Sequence, residues 1–314
     1  MKLSIVSTMY RSAPFLPEFC RRVTAAAQNF DEGFELILVN DGSPDDSLDV
    51  ALALQRDEPR IQIVELSRNF GHHAAIVAGL ERARGERVFL IDCDLEEQPE
   101  WLPEFAARME ATNADVVFGV QESRVADRRS NLFGELFWRA LNVMSNVKIP
   151  NNPMTCRLMC RAYVDALLRV EDRVLYLAGT FAWTGFRQVA LTLTKTPRPR
   201  AHKSTYSLGR KLMQVVDSFS SFSVAPLTLI FIVGLAIWLG SLVIGVFLFA
   251  ERLLRPAEIL SGFTSLMLSI WFLSGIIIMA LGILGLYIGK IFQEVKRRPL
   301  YITRKIHKGE VHEH

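Results

Sequence analysis

The sequence has few cysteines and few charged residues for a chain of 314 residues. Its four cysteines form no CxxC pair, and Cys156 and Cys160 have no histidine pair nearby, which excludes a disulfide scaffold and disfavours a structural zinc site. Charged residues make up only 22% of the chain and hydrophobic residues 50%, with a mean hydropathy of +0.21. This balance is too apolar for an ordinary water-soluble enzyme and indicates that part of the chain lies in a membrane.

Two glycine-rich phosphate-binding motifs are also missing. No GxGxxG follows the first run of β-branched residues, and no GxxxxGK[ST] occurs anywhere. The dinucleotide-binding and P-loop classes therefore lack the glycines that cradle a phosphate in those proteins. Any nucleotide bound by this chain must be held in another way.

Charge is absent from two long segments in the second half of the chain. Residues 218–250 and 259–289 contain no charged side chain, and each exceeds the about 20 apolar residues that a helix needs to cross a bilayer. The flanks on either side of this pair are basic, whereas the connecting residues 251–258 are neutral in sum. Because Lys and Arg are retained on the cytoplasmic side, we predict a two-helix transmembrane domain at 223–290 in the inner (cytoplasmic) membrane, multi-pass, with both termini cytoplasmic.

The segments beside these spans have patterns of their own. Apolar residues recur at helical spacing opposite polar ones between 206 and 222, which predicts an amphipathic helix in the membrane interface within residues 201–222. A simple juxtamembrane linker is the alternative. Residues 291–314 carry more basic than acidic side chains and are predicted to form a basic cytoplasmic tail.

Residues 1 to about 122 alternate short apolar runs with segments of helical length. The runs predicted as strands are 3–6, 35–39, 61–66, 87–91 and 115–119. This alternation predicts a parallel sheet with crossover helices. Ligands bind beyond the carboxyl ends of the strands in open sheets of this kind, so the residues after each run are candidates for a site.

The strongest chemical signal is the acidic segment after the fourth run. Asp92, Asp94 and Glu96 have no basic neighbour nearer than Arg87. Such carboxylates repel one another unless a cation lies among them, and Mg²⁺ or Mn²⁺ prefers oxygen ligands and bridges carboxylates to substrate phosphates. A solvated acidic turn is the alternative. After the second run, Asp41 can accept hydrogen bonds from a base or ribose.

These segments resemble, in their order, the polyisoprenyl-phosphate branch of the family 2 glycosyltransferases of GT-A fold. The resemblance is carried by VNDGS (39–43) with Asp45 and Asp46, RNFGH (68–72), AGL (78–80), DCDLE (92–96) with Pro99 and Glu100, residues 133–142, RLM (157–159), KSTY (203–206) and residues 285–299. It implies an α/β fold, with a cytoplasmic, Rossmann-like, mostly parallel GT-A domain over residues 1–200, followed by an interface helix and two transmembrane helices.

The resemblance also implies an activity and its partners. The enzyme would transfer a sugar from a nucleoside diphosphate sugar to the phosphate of a membrane polyprenol, with inversion, for cell-envelope glycosylation. A UDP-glucose-like donor is favoured, and GDP-mannose is the second candidate. The expected cofactor is Mg²⁺ or Mn²⁺, and the expected partners are the donor, the polyprenyl phosphate, the lipid bilayer and further copies of the chain, with no nucleic acid.

By their position after the predicted strands and by match to the family, the site residues fall into overlapping sets. The predicted nucleotide-sugar residues are Thr8, Tyr10, Asp41, Asn69, His72, Asp92, Cys93 and Asp94. The predicted metal ligands are Asp92, Asp94 and Glu96, although many relatives carry Gln in place of Glu96. The predicted catalytic residues are Asp92, Asp94, Arg128 and Arg129. The predicted residues for the acceptor phosphate are Arg124, Arg128, Arg129, Lys203, Ser204 and Tyr206, since arginine binds phosphate bidentately. A solvated basic loop is the alternative for the three arginines.

Three other functions can be compared with the sequence. A nucleotidyltransferase would have a basic glycine-rich opening loop and no membrane spans, whereas this sequence lacks the loop and contains two predicted spans. A processive polysaccharide synthase would carry a Gln-x-x-Arg-Trp motif, which this sequence does not contain. A non-catalytic, membrane-anchored subunit that binds nucleotide is the remaining alternative, because Glu96 and Thr155 depart from the family pattern. Glu171 and Asp172 are further candidates for an acidic base.

Overall fold

The computed structural model describes residues 2–30, 33–121, 153–170, 172, 177–194 and 263–309, together with scattered helical positions between 232 and 243. The described residues belong to two compact units. The first unit spans Met1–Asn142, Val147–Tyr206 and Arg298–His314, and the second spans Val143–Asn146 and Ser207–Arg297.

The first unit is built on one eight-stranded sheet among the described residues. Its strands are β1 (Leu3–Met9), β2 (Phe34–Asn40), β3 (Ile61–Leu66), β4 (Arg87–Leu90), β5 (Val116–Gln121), β6 (Pro153–Cys160), β7 (Gln188–Leu193) and β8 (Thr303–His307). Its helices are α1 (Leu16–Phe30), α2 (Ser47–Asp57), α3 (His72–Leu80), α4 (Leu102–Thr112, after a 3-10 turn at Pro99–Trp101), α5 (Arg161–Leu168) and α6 (Leu177–Trp183). The strand order is β7-β5-β6-β4-β1-β2-β3-β8.

Four neighbouring strands form a parallel centre, β4-β1-β2-β3. The pairing of β1 with β2 runs from Leu3 opposite Phe34 to Met9 opposite Asn40. Because the strands are parallel, their carboxyl ends lie at the same side of the sheet. We call this side the carboxyl edge and define it by the residues that follow Met9, Asn40, Leu66 and Leu90.

Both faces of this centre are buried, which explains why its strands are almost continuously apolar. Ile5 and Leu36 lie in a core that also contains residues of α1 and α4. Val6 and Ile37 lie in a second core with residues of α3 and α5. Complete burial of one such side chain contributes about 1.5–3 kcal/mol, so the two cores fix the strands and with them the positions of the loops at the carboxyl edge.

The five strands predicted from sequence are all present, and the α/β, Rossmann-like GT-A architecture is confirmed for the described residues. The arrangement differs from a simple parallel sheet at two of its strands. One is β6, which lies between β4 and β5 and is antiparallel to both. Its segment, 153–160, was recognised only through the RLM motif. Cys156, Leu158 and Met159 are all fully buried in it, which makes it a central strand.

The strand β8 lies in the stretch predicted as a basic tail, residues 291–314. It pairs antiparallel with β3, with Ile63 opposite His307 and Leu66 opposite Thr303. Gln55 Nε2 of α2 donates hydrogen bonds to the carbonyl oxygens of Ile61 (2.7 Å) and His307 (2.9 Å), and so joins the two strands. The basic side chains of β8 suit an edge strand, where charge discourages pairing with other molecules. They also explain why the segment does not have the apolar pattern from which a strand is predicted.

The described part of the second unit contains α7 (Phe263–Val295). Within it, Leu273–Val295 is long and apolar enough to cross a membrane by length and composition, and its apolar window is not buried inside the protein. This helix covers most of the second predicted span, 259–289, and continues to Val295. Most of the first predicted span, 218–250, and the whole predicted interface helix, 201–222, lie outside the described residues.

The bridge made by Gln55 gives a test of whether β8 belongs to the folded domain. Replacing it by Leu leaves the buried carbonyl group of Ile61 and the partly buried carbonyl group of His307 without this donor, so Gln55→Leu should lower the free energy of unfolding by roughly 1–3 kcal/mol. Gln28→Leu, at an exposed position of α1, is the matched control. Denaturant unfolding of the detergent-solubilised chain measures both variants, and equal stability of the two would contradict the bridge.

Candidate active site

The carboxyl edge brings together the loops that carry most of the predicted site residues. Thr8 and Tyr10 lie at the end of β1 and just beyond it, and Asp41 follows β2. Asn69 and His72 follow β3, and the acidic segment 92–96 follows β4. The parallel arrangement of β1–β4 is the reason that residues so far apart in sequence share one edge.

Three of these residues meet around an imidazole. Thr8 Oγ1 and His72 Nδ1 are hydrogen-bonded at 3.0 Å, and His72 Nε2 lies 3.6 Å from a carboxylate oxygen of Asp92. Burial lowers the pKa of His72, although the charges of Asp41 and Asp94 oppose this. The imidazole is therefore mainly neutral at neutral pH and links the end of β1 to the end of β4.

Cys93 follows Asp92 directly and is buried. Its side chain is 4% exposed, and its Sγ donates a hydrogen bond to the carbonyl oxygen of Thr8 at 3.0 Å. Burial raises the pKa of Cys93 to about 12, so the thiol stays protonated at neutral pH. The structure thus places Cys93 as an anchor between β1 and β4, and a contact of its side chain with the nucleotide sugar remains a prediction.

Asp41 has a structural role that the sequence did not reveal. Its two carboxylate oxygens accept hydrogen bonds from the backbone N–H groups of Phe70 (2.7 Å) and Gly71 (3.0 Å), and the residue is 3% exposed. Burial raises the pKa of Asp41, and these two hydrogen bonds only partly oppose the rise. The carboxylate holds the loop before α3. Each oxygen retains a second acceptor position, so a contact with the nucleotide remains a prediction.

Asp45 organises the next loop in a similar way. Its Oδ1 accepts hydrogen bonds from the hydroxyl groups of Ser43 and Ser47. Those hydroxyl oxygens in turn accept the backbone N–H groups of Arg11 (2.7 Å) and Ser12 (2.9 Å). Burial disfavours the charge of Asp45, but its hydrogen bonds outweigh this and hold the pKa of the carboxyl below its usual value. The Ser-x-Asp-x-Ser spacing is a local signal that could have predicted the turn.

Gly42 lies where the loops after β2 and β3 touch. Its φ is +57°, in the left-handed region that glycine adopts without penalty. A Cβ at this position would lie 2.4 Å from the carbonyl carbon of Arg68 and 2.5 Å from the backbone nitrogen of Asn69. Both the backbone conformation and the lack of space require glycine here.

The acidic loop after β4 reverses direction within a few residues. Leu95 has a φ of +63°, which is uncommon for a side chain of this kind. The backbone N–H of Glu96 donates to Asp94 Oδ1 at 3.1 Å. The described residues contain no group of three or more His, Cys, Asp or Glu side chains arranged to hold a metal ion. The predicted ligands Asp92, Asp94 and Glu96 are thus not assembled into a complete three-residue cluster.

Other predicted residues are less constrained or are not described. Tyr10 is 45% exposed, and the guanidinium carbon of Arg11 lies 5.7 Å from the centre of its ring. Asn69 accepts a hydrogen bond at its carbonyl oxygen from Arg68 (2.9 Å). Asp172 is exposed. The residues outside the described part are Arg124, Arg128, Arg129, Glu171, Lys203, Ser204 and Tyr206.

The contact at Gly42 can be tested against a second glycine. Gly185 also has a positive φ of +78°, but a Cβ there would meet nothing within 4 Å. Gly185→Ala should therefore lower the free energy of unfolding by about 1–2 kcal/mol, which is the cost of placing a residue with a Cβ at a positive φ. Gly42→Ala should cost more, because the new methyl group clashes with backbone atoms of the β3–α3 loop. Denaturant unfolding measures both, and equal losses would show that the two loops are not in contact.

Comparisons of the sequence with known proteins identify the family of this chain. The sequence profile described as Glycosyl transferase family 2 matches residues 4–168. A protein of Mycobacterium tuberculosis named as a glycosyltransferase is 40% identical over 311 residues, which cover 99% of this chain and 90% of that protein. The bactoprenol glucosyl transferase of Shigella phage SfII is 32% identical over 311 residues, covering 98% of this chain and 99% of the phage protein.

Solved structures show a weaker likeness. A mannosyltransferase from Pyrobaculum calidifontis, solved with GDP-mannose and Mn²⁺, has a TM-score of 0.49 and 17% sequence identity, with 70% of this chain and 63% of the other covered. A likeness at that level carries no conclusion about function. The family profile covers more than half of the chain, and the relatives match it over nearly its whole length. The chain is therefore a glycosyltransferase that belongs to glycosyl transferase family 2.

Proposed function

We propose that this enzyme transfers a sugar from a nucleoside diphosphate sugar to the phosphate group of a membrane polyprenol. The observation that carries the proposal is the full-length similarity to a bactoprenol glucosyl transferase, which extends beyond the family domain through the apolar helix α7. A water-soluble acceptor would not require the enzyme to lie at a membrane. A lipid acceptor explains why a glycosyltransferase domain and an apolar helix occur in one chain.

The donor would bind at the carboxyl edge. Thr8, His72 and Asp92 are already in contact there, and Asp94 is close enough for its charge to act on His72. We assign the remaining nucleotide-sugar contacts to Tyr10, Asp41, Asn69 and Cys93, as predicted from sequence. His72 would donate or accept a hydrogen bond with a phosphate or sugar oxygen, since its neutral ring can do either.

The donor set at this edge fits a hard divalent cation. Asp92, Asp94 and Glu96 offer only oxygen atoms, which Mg²⁺ and Mn²⁺ prefer. Mg²⁺ is commonly held by one or two carboxylates, with phosphate oxygens and water completing its shell, so a protein cluster of three ligands is not needed. When bound, the cation would neutralise charge that develops on the leaving diphosphate.

The acceptor needs little activation. The second pKa of a phosphate monoester is near 6, so at neutral pH the polyprenyl phosphate already carries a nucleophilic oxygen, and no general base is obligatory. Its oxygen forms a bond to the anomeric carbon while the bond to the nucleoside diphosphate breaks, with inversion. The work of the chain is to place the two substrates in line and to exclude water.

The connections of the sheet support entry of the acceptor at the same edge. Leu193, the last residue of β7, pairs with the carboxyl end of β5, and Thr303, the first residue of β8, pairs with the carboxyl end of β3. Within the first unit, the chain therefore leaves β7 and enters β8 at the carboxyl edge. We assign the acceptor phosphate to residues outside the described part of the chain, namely Arg124, Arg128, Arg129, Lys203, Ser204 and Tyr206.

The finer assignments follow the same similarity. A glucose-like sugar carried by UDP is favoured, because the related phage protein is named a glucosyl transferase, and GDP-mannose is the second candidate. We propose a multi-pass protein of the inner membrane, with a second span at 218–250 and both termini cytoplasmic. We also propose that it is a homo-oligomer.

One assay tests the proposal. The detergent-solubilised full chain is incubated with polyprenyl phosphate and a panel of radiolabelled nucleotide sugars. Label from UDP-glucose should enter the lipid fraction, stop in excess EDTA and resume with Mg²⁺ or Mn²⁺. Asp94→Asn should remove most of the transfer, because it weakens the cation site, while Glu104→Gln, at an exposed position of α4, should retain it. Unlabelled lipid with every donor would contradict the proposed function, and full transfer in EDTA would contradict the metal.

A further inference from the structure

A buried glutamate joins the acidic loop to the neighbouring strand. The ladder between β4 and β6 ends with Leu90 opposite Arg157. Just beyond it, Glu97 Oε2 accepts the backbone N–H of Asp92 at 3.2 Å, and Glu97 Oε1 accepts the backbone N–H of Cys156 at 3.4 Å. One carboxylate therefore continues the connection between the two strands after their own hydrogen bonds have stopped.

The chemistry of this bridge requires a carboxylate. Glu97 and Cys156 are both fully buried, and a buried backbone N–H needs an acceptor. A glutamate side chain offers two acceptor oxygens, one for each N–H group. A glutamine has the same shape but only one acceptor, and its NH₂ group would face a second donor. Transferring a carboxylate from water into the protein interior costs free energy, so a glutamate at this buried position indicates a specific role.

A buried cation lies on the same strand. Arg157 is 4% exposed, donates hydrogen bonds to two carbonyl groups of its own strand and stacks on the ring of Phe181, with its guanidinium carbon 3.4 Å from the ring centre. Burial lowers the pKa of Arg157 to about 10, and the charge of Glu97 is among the influences that oppose this. Glu97 is thus one of several groups that favour the charged form of Arg157.

The bridge acts on the predicted metal ligands through the backbone. Glu97 holds the N–H of Asp92, the first residue of the acidic loop, whose carboxylate faces His72 at 3.6 Å. Leu95, between Asp94 and Glu97, has a left-handed conformation, which is strained for a residue with a side chain and needs support from its surroundings. Fixing Asp92 at one end and β6 at the other gives that support.

We propose that Glu97 is a positioning residue, which fixes the acidic loop on β6 so that Asp92 and Asp94 are preformed for the cation and the donor diphosphate. Glu97 itself touches neither substrate nor metal. The inference rests on the proposed function, since it concerns the cation of the donor site. It was missed in the sequence because Glu97 reads as one more residue of an acidic run.

The test separates positioning from plain stability. Binding of UDP and of GDP to the solubilised full chain is measured by calorimetry over a series of Mn²⁺ concentrations. In Glu97→Gln, the Mn²⁺ concentration that gives half-maximal nucleotide affinity should rise roughly tenfold or more, since a hydrogen bond to a charged group contributes about 1.5–3 kcal/mol. Gln55→Leu, which lowers stability at a distance from the site, should keep the wild-type Mn²⁺ dependence.

The outcomes are distinct. If Glu97→Gln shows the Mn²⁺ dependence of Gln55→Leu, Glu97 only stabilises the fold and the inference is wrong. Glu97→Asp keeps both acceptor oxygens on a shorter side chain and should shift the Mn²⁺ dependence by less than Gln does. If Glu97→Gln does not fold, a wild-type Mn²⁺ dependence in Glu97→Asp overturns the inference. If the wild-type chain binds neither nucleotide with Mn²⁺, the proposed function and this inference both fail.

Discussion

The loops at the carboxyl edge begin where the hydrogen-bond ladders of the strands end, and the backbone groups there need new partners. Carboxylates provide them. Asp41 accepts the N–H groups of Phe70 and Gly71, and Glu97 accepts those of Asp92 and Cys156. Because a buried N–H without an acceptor costs about 1–3 kcal/mol, these side chains determine where each loop can lie.

This requirement divides the acidic residues of the site into two groups. Asp41 and Glu97 are buried and hold backbone, so they shape the edge without facing solvent. Asp92 and Asp94 are only partly buried, and a carboxylate oxygen of Asp92 lies 3.6 Å from His72 Nε2. The first group holds the backbone of the loops, and we propose that the second group meets a cation and a diphosphate. A variant in the first group should therefore act on the second through the backbone.

Much of the edge could be predicted from sequence, because the information is local. The apolar runs gave the strands, and parallel pairing then brought Thr8, His72 and Asp92 to one side. Other features depend on partners far along the chain. The hydrogen bond between Asp41 and Phe70 joins residues that are separated in sequence by all of α2 and β3. The strand β6 can be recognised only when its neighbours in the sheet are known. The charges of Arg304 and Lys305 made β8 look like a tail, although its register with β3 fixes it in the sheet.

The most direct test of this account is a structure of the full chain with UDP and Mn²⁺, with the metal located by its anomalous scattering. We expect a manganese ion at the carboxyl edge, next to the carboxylates of Asp92 and Asp94 and bound to the diphosphate, with His72 beside it. We also expect that Asp41 and Glu97 keep their bonds to the backbone. A nucleotide or a metal bound elsewhere on the sheet, or at this edge without contact to Asp92 or Asp94, would contradict this expectation.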